Sequence, residues 1–94
     1  MSGMTFKQFK RTLVAYGEMK FSYRGEPYNF QKDPDAAQIK VSVWYGGDYP
    51  QCVYSRTVAA QDDSFVSDLI SAKIFPDGKS IADGQADIDV EFFT

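Results

Sequence analysis

The sequence predicts an α+β fold, a single domain over residues 1–94 in which two helices cover a mainly antiparallel sheet of four to five strands, in the order α-β-β-β-β-α-β. Three observations carry this. An apolar stripe of helical period opens the chain, two-residue alternation then recurs in several short runs, and a second helical stripe precedes the last of them. Hydrophobic residues make up 44% and aromatics 16% of the 94 residues, which is apolar area enough for one core without metal or disulfide staples. No repeat, linker or low-complexity stretch divides the chain.

Phe6, Phe9, Leu13 and Tyr16 recur at spacings of three, four and three, with Lys7, Lys10 and Arg11 off that stripe. The spacing predicts a helix over 5–18, with Thr5 as N-cap and Gly17 as a left-handed terminator. Met19, Phe21 and Tyr23 then alternate with Lys20, Ser22 and Arg24, and Tyr28 and Phe30 with Asn29 and Gln31, so two strands meet at an Arg24-Gly25 turn as a hairpin. Lys32-Asp33-Pro34-Asp35 reads as a loop.

Ile39, Val41, Val43 and Tyr45 alternate with Lys40, Ser42 and Trp44 and predict a central strand. Gly46-Gly47-Asp48 supplies turn chemistry, Pro50 restarts the chain, and 52–58 is β-branched and aromatic enough for a further strand. Asp62, Asp63 and Ser64 offer N-cap acceptors before Phe65, Val66, Leu69 and Ile70 at helical spacing, and Pro76-Asp77-Gly78 is expected to end that second helix. Ile88, Val90 and Phe92 alternate with Asp87, Asp89 and Glu91 in a terminal strand whose acidic side reads as a solvated face. Residues 1–3 are given no structural role, because Met4 would serve equally well as a start.

Much chemistry is excluded by residue types. The chain has no histidine, so the commonest general base and the commonest zinc ligand are missing together. Cys52 is its only cysteine, which rules out an internal disulfide, a Cys-His pair and thiolate metal clusters, and its place in a strand reads as a buried small hydrophobe. Asp77-Gly78-Lys79-Ser80 resembles the tail of a phosphate-binding loop, but Lys73 stands where the first glycine is required and the element order is reversed. A Gly turn with Ser80 capping a short turn is the better reading. A calcium loop starting at Asp83 fails because Ile88 occupies the glycine position. Asp33 with Asp35 and Asp62 with Asp63 read as turn or cap residues. No catalytic residue, metal ligand or cofactor fingerprint is assigned.

Charge is uneven. Residues 1–60 carry eight Lys/Arg against five Asp/Glu, a balance of +3, and 61–94 carry two against eight, a balance of −6, so the two parts should attract, within one domain or between copies. The net charge of −3 makes nucleic acid an improbable partner. The first twenty residues lack the continuous apolar stretch of a signal peptide or membrane span, so a reducing, cytoplasmic setting and no membrane are expected. What remains is a non-enzymatic protein-interaction or assembly module, with self-association into a homodimer among its forms. A small-ligand binder or enzyme using only Asp, Glu, Lys or Tyr is the alternative, and nucleic-acid contact through a basic sheet face is the third reading. The surface singled out is Trp44 with Lys40, Arg24 and Lys20, which strand alternation puts opposite the apolar stripe. The competing reading is that the second helix covers Trp44 as ordinary core.

Overall fold

The computed structural model describes residues 1–47 and 51–94. Its elements are α1 (Phe6–Ala15), β1 (Glu18–Tyr23), β2 (Glu26–Asp35), β3 (Gln38–Tyr45), β4 (Gln51–Ala59), α2 (Phe65–Ser71), α3 (Ile81–Gly84), a 3-10 turn (Gln85–Asp87) and β5 (Ile88–Phe93). The strands form one antiparallel sheet in the order β4-β3-β2-β1-β5. Three hairpins lay down β1 to β4, and the chain then crosses one face of the sheet through its helices to bring β5 beside β1.

Helix α1 begins where Thr5 accepts from the Gln8 amide while the Gln8 side chain accepts from the Thr5 amide, a reciprocal capping box. Its inward side is Phe9 and Leu13, with Phe6 half-buried. The stripe was expected to run on to Tyr16 and to end at a left-handed Gly17. Instead the helix stops at Ala15, and Tyr16 is extended at the C-cap and 42% exposed, with its ring against Phe93. Val14, one of the last helical carbonyls, receives the Lys32 ammonium, so a side chain from β2 meets the end that no glycine closes.

The Arg24-Gly25 hairpin is as expected, with φ of 51° and 81° at the two turn residues, the left-handed pair that a two-residue turn between twisted strands requires. The expected loop at Lys32-Asp33-Pro34-Asp35 is instead the second half of β2, paired through Pro34 with Ile39. Proline is tolerated because of the direction in which its missing N–H would point. Lys32 donates toward Gly17 on the β1 side, Pro34 has the same parity, and β1 begins only at Glu18, so no ladder bond is lost. The turn falls at Ala36-Ala37, where Ala36 adopts φ 56°. Asp48 and Pro50, expected as turn and restart, lie outside the described residues.

Among the described residues only one face of the sheet is covered. Met19, Phe21, Tyr23, Tyr28, Phe30, Val41 and Val43 point to the helices and meet Phe9, Leu13, Phe65, Leu69, Phe75 and Ile81 there. Phe9 stands edge-on to Phe21 with ring centroids 5.9 Å apart, Phe65 stacks on Phe30 at 6.2 Å, and Phe75 stacks on Tyr23 at 3.7 Å. Helix α2 ends at Ser71, well before Pro76, because the chain turns inward to bury Ile74 and Phe75. Ser80 then accepts from the Asp83 amide to start α3, which the sequence showed only as a capped turn. Glycine is required at 84: a Cβ there would lie 2.6 Å from the Tyr23 ring.

Residues 1–3, given no role from sequence, close the outer edge of β5. The Ser2 amide donates to the Ile88 carbonyl and the Val90 amide to the Ser2 carbonyl, both at 2.9 Å, in a parallel bridge opposite Asp89. No helix among the described residues is long and apolar enough to cross a membrane.

Candidate functional site

Antiparallel register fixes which side chains share the uncovered face. Phe92, Lys20, Asn29, Trp44 and Cys52 form one row across all five strands, through the pairs Phe92/Lys20, Lys20/Asn29, Asn29/Trp44 and Trp44/Cys52. Below it run Gln31, Ser42 and Ser55, then Asp33, Lys40 and Thr57; above it stand Pro27, Ser22 and Asp89. Among the described residues the middle of this face holds an indole, two amides and several hydroxyls and no charge. The charged groups, Lys20, Lys40, Glu18, Asp33 and Asp89, stand around it.

Trp44 is half-buried without a helix above it, so its reading as core under the second helix does not hold. Its Nε1 donates to the Ser42 hydroxyl two residues away at 3.0 Å. The ring thus folds back along its own strand, and Ser42 is buried at 1% exposure on an otherwise open face. Beside the ring, Asn29, Gln31, Trp44, Gly46 and Gly47 line a hollow of about 300 Å³. Among the described residues Asn29 Oδ1 is buried with no hydrogen-bond partner, an acceptor whose desolvation they leave uncompensated.

Lys20 and Lys40 share the face with Trp44 as expected, on either side of the uncharged centre. Lys20 is drawn to Glu91 of β5 at 3.7 Å. Arg24 does not belong to the group: it occupies the hairpin turn and contacts Asp87 at 3.1 Å and Asp77 at 3.5 Å. The attraction between the basic and acidic parts of the chain is therefore met inside one molecule by Asp68, Asp77, Asp87 and Glu91, while Asp89 stands opposite Ser22. With Glu18, Asp33 and Asp89 outnumbering Lys20 and Lys40, the described part of the face is not basic. Cys52 is exposed rather than buried, because its pairing with Trp44 puts it on the open face of an outer strand.

Two tyrosine hydroxyls meet carboxylates elsewhere. Tyr23 donates to Asp77 and Tyr54 to Asp68, each at 2.5 Å and each with an arginine, Arg24 or Arg56, on the same carboxylate. The Tyr23 hydroxyl holds Asp77 below the usual carboxylate range, and the Tyr54 hydroxyl does the same to Asp68. Burial pushes Tyr28 and Tyr54 up to about 12, with the Asp68 bond adding to the effect at Tyr54. Lys32, partly desolvated over the Phe65 ring, is held below the ordinary lysine value. These are satisfied pairs around a packed core. The carboxylates already accept from their own chain, and the hollow beside Tyr23 and Tyr28, about 170 Å³, opens to solvent past Pro76. Among the described residues no group of acidic or cysteine side chains could hold a metal ion.

Sequence alternation found the open face and Trp44 but missed Asn29 as an orphaned acceptor, since that depends on how the indole lies. It also misplaced Arg24, whose polar parity holds only if the strand continues through the turn. Comparison with protein-family models, with characterised proteins and with solved structures finds no match.

Proposed function

We propose that this protein is a non-enzymatic interaction module that binds a protein partner on the open face of its sheet. The observation that carries this reading is the distribution of side chains on that face: an uncharged centre around half-buried Trp44, ringed by Lys20, Lys40, Glu18, Asp33 and Asp89. Interfaces are organised in this way, with charge depleted and aromatics enriched at the centre and polar groups at the rim. Asn29 Oδ1 offers a partner a desolvated acceptor, and the charged rim of both signs supplies orientation. A reducing, cytoplasmic setting suits an exposed single cysteine at Cys52.

The test is a photo-crosslinking amino acid at Gln31, compared with the same group at Lys7 on the exposed side of α1, in cells that make the protein. A protein adduct specific to position 31 is expected, and Trp44→Ala should weaken it by about 30-fold or more while leaving the fold intact, as loss of a central aromatic anchor does. Identical adducts from both positions, or adduct formation indifferent to Trp44→Ala, would overturn the reading.

A further inference from the structure

The two outer strands of the sheet are not equivalent. Ser2 pairs with two outward backbone groups of β5, the Ile88 carbonyl and the Val90 amide, whereas no described segment lies against β4. The outward groups of β4 follow from its ladder with β3. The Ala60 amide donates to the Ala37 carbonyl, which in an antiparallel ladder makes Gln38/Ala59 a pair that exchanges no direct bonds. Alternating from there, Arg56 and Val58 bond inward to Val41 and Ile39, and the N–H and C=O of Ser55, Thr57 and Ala59 point out of the sheet.

From this geometry we propose that β4 pairs with β4 of a second copy, antiparallel about a twofold axis at Thr57, so that one sheet runs through a homodimer. The outward set is its own complement: Thr57 meets Thr57 and Ser55 meets Ala59, and every one of those backbone groups gains a partner. Edge strands that must stay single are defended by proline, lysine, inward charges or a covering segment. Over Gln51–Ala59 there is no proline and Arg56 is the only charge. The bulge lies at the far end, by Cys52, and leaves residues 54–59 regular.

Side chains favour a second copy over an unrelated strand. On the open face the pairing sets Thr57 against Thr57 and Ser55 against Ala59, small groups that permit close approach. On the helix face Arg56 lands opposite Val58 of the other copy, so no cation faces a cation directly, and Asp62 follows the strand on that side. Moving the axis by one residue, to Arg56, would set the two guanidiniums opposite each other. This dimer uses a surface other than the Trp44 face, and the two readings fail separately.

Sedimentation of the full chain from about 1 µM to about 1 mM should show a concentration-dependent dimer. Thr57→Pro removes only an outward N–H and Thr57→Lys sets two ammonium groups face to face. Both should give monomer at every concentration, and Thr57→Lys should leave the far-ultraviolet spectrum and the melting of dilute protein unchanged. In a Cys52→Ser background, Thr57→Cys should oxidise to a disulfide-linked dimer, since directly paired Cα atoms about 5.5 Å apart suit that bond, whereas Lys7→Cys should not. A chain that stays monomeric at about 1 mM would overturn the proposal. A dimer that survives Thr57→Lys, or one lost in Trp44→Ala while Thr57→Lys leaves it intact, would do the same.

Discussion

The two margins of the sheet carry the same small device and put it to different use. At one, Tyr23, Asp77 and Arg24 join β1 to the turn after α2; at the other, Tyr54, Asp68 and Arg56 join β4 to α2. The first is wedged between rings: Tyr23 is 3% exposed, stacked on Phe75 and pressed by Gly84. The second is open, with Arg56 and Asp68 half in solvent and Val58 the one buried side chain of β4. Beyond the first, Ser2 closes the edge; beyond the second nothing among the described residues does. An arrangement of identical groups therefore locks one margin and leaves the other free, and packing around the tyrosine makes the difference.

The largest effect should separate the margins by stability. Phe21 lies on β1 among Phe9, Tyr28 and Met19 at 1% exposure, and Phe21→Ala should cost about 3–5 kcal/mol, comparable with the whole stability of a small domain. Val58→Ala on β4 removes two methyl groups from a site 8% exposed and should cost about 1.5 kcal/mol. Denaturant midpoints of the two variants check this, and equal losses would break the contrast.

Next comes the wedge itself. Gly84→Ala drives a methyl to 2.6 Å from the Tyr23 ring, and Phe75 stacked on that ring leaves little room to retreat. Overpacking of this kind costs about 1–3 kcal/mol. In a domain of this size each kcal/mol lowers the melting temperature by about 4–8 °C. Gly47→Ala, where an added Cβ meets nothing within 4 Å, is the matched control and should melt as the native chain does.

How far the sequence foretold these margins depends on which forces shaped them. Alternation over 19–23 and 39–45 was legible because one face of each strand is buried, and burial imposes period two. Thr5 was legible as a cap because the interaction is local, although its reciprocal partner Gln8 was not singled out. Pro34 misled, since its cost depends on where β1 begins, and Ala36-Ala37 gave no turn signal although it is the turn. Gly84 and Ser2 were invisible for a similar reason: each is defined by a partner distant in sequence, the Tyr23 ring and the β5 backbone. At the open face, polarity showed in the sequence, but the fold of the Trp44 ring onto Ser42 and the stranding of Asn29 did not, because rotamers are set by neighbours that register alone brings together.

Alkali should probe the open margin. Tyr54 has its folded value raised to about 12 from an ordinary value near 10. Its contribution is fully present below pH 10 and is lost as pH rises through about 12. Tyr54→Phe keeps the ring but removes the hydroxyl, so the phenolate absorbance titration should lose one late-ionising group. The same variant frees Asp68, whose lowered value owes most to that hydroxyl. Stability that Asp68 supplies above the ordinary carboxylate value, and that is lost as pH falls through its lower folded value, should then shrink on the acid limb as well, Arg56 keeping the remainder. A variant whose acid and alkaline limbs both match the native chain would mean that the Tyr54–Asp68 bond does not persist in solution.

The smallest effect tests the closed edge directly. Gly3 adopts φ 94° and lies so close to β5 that a Cβ would sit 2.8 Å from the Val90 carbonyl. Gly3→Val therefore cannot keep the N-terminal segment in place, on grounds of both backbone and space. The two backbone bonds of Ser2 are near the surface, so their loss should change overall stability by no more than about 1 kcal/mol. The local change should be plain, because the Val90 amide donates to Ser2 and exchanges with solvent once that acceptor leaves. Hydrogen exchange should show Val90 losing protection in Gly3→Val while Phe21, deep in the core, keeps its own. If the uncovered β5 edge then also associates, the variant should form oligomers larger than those of the native chain. If it does not, Asp89 and Glu91 suffice as guards, and Ser2 is a second defence on an edge already protected by charge.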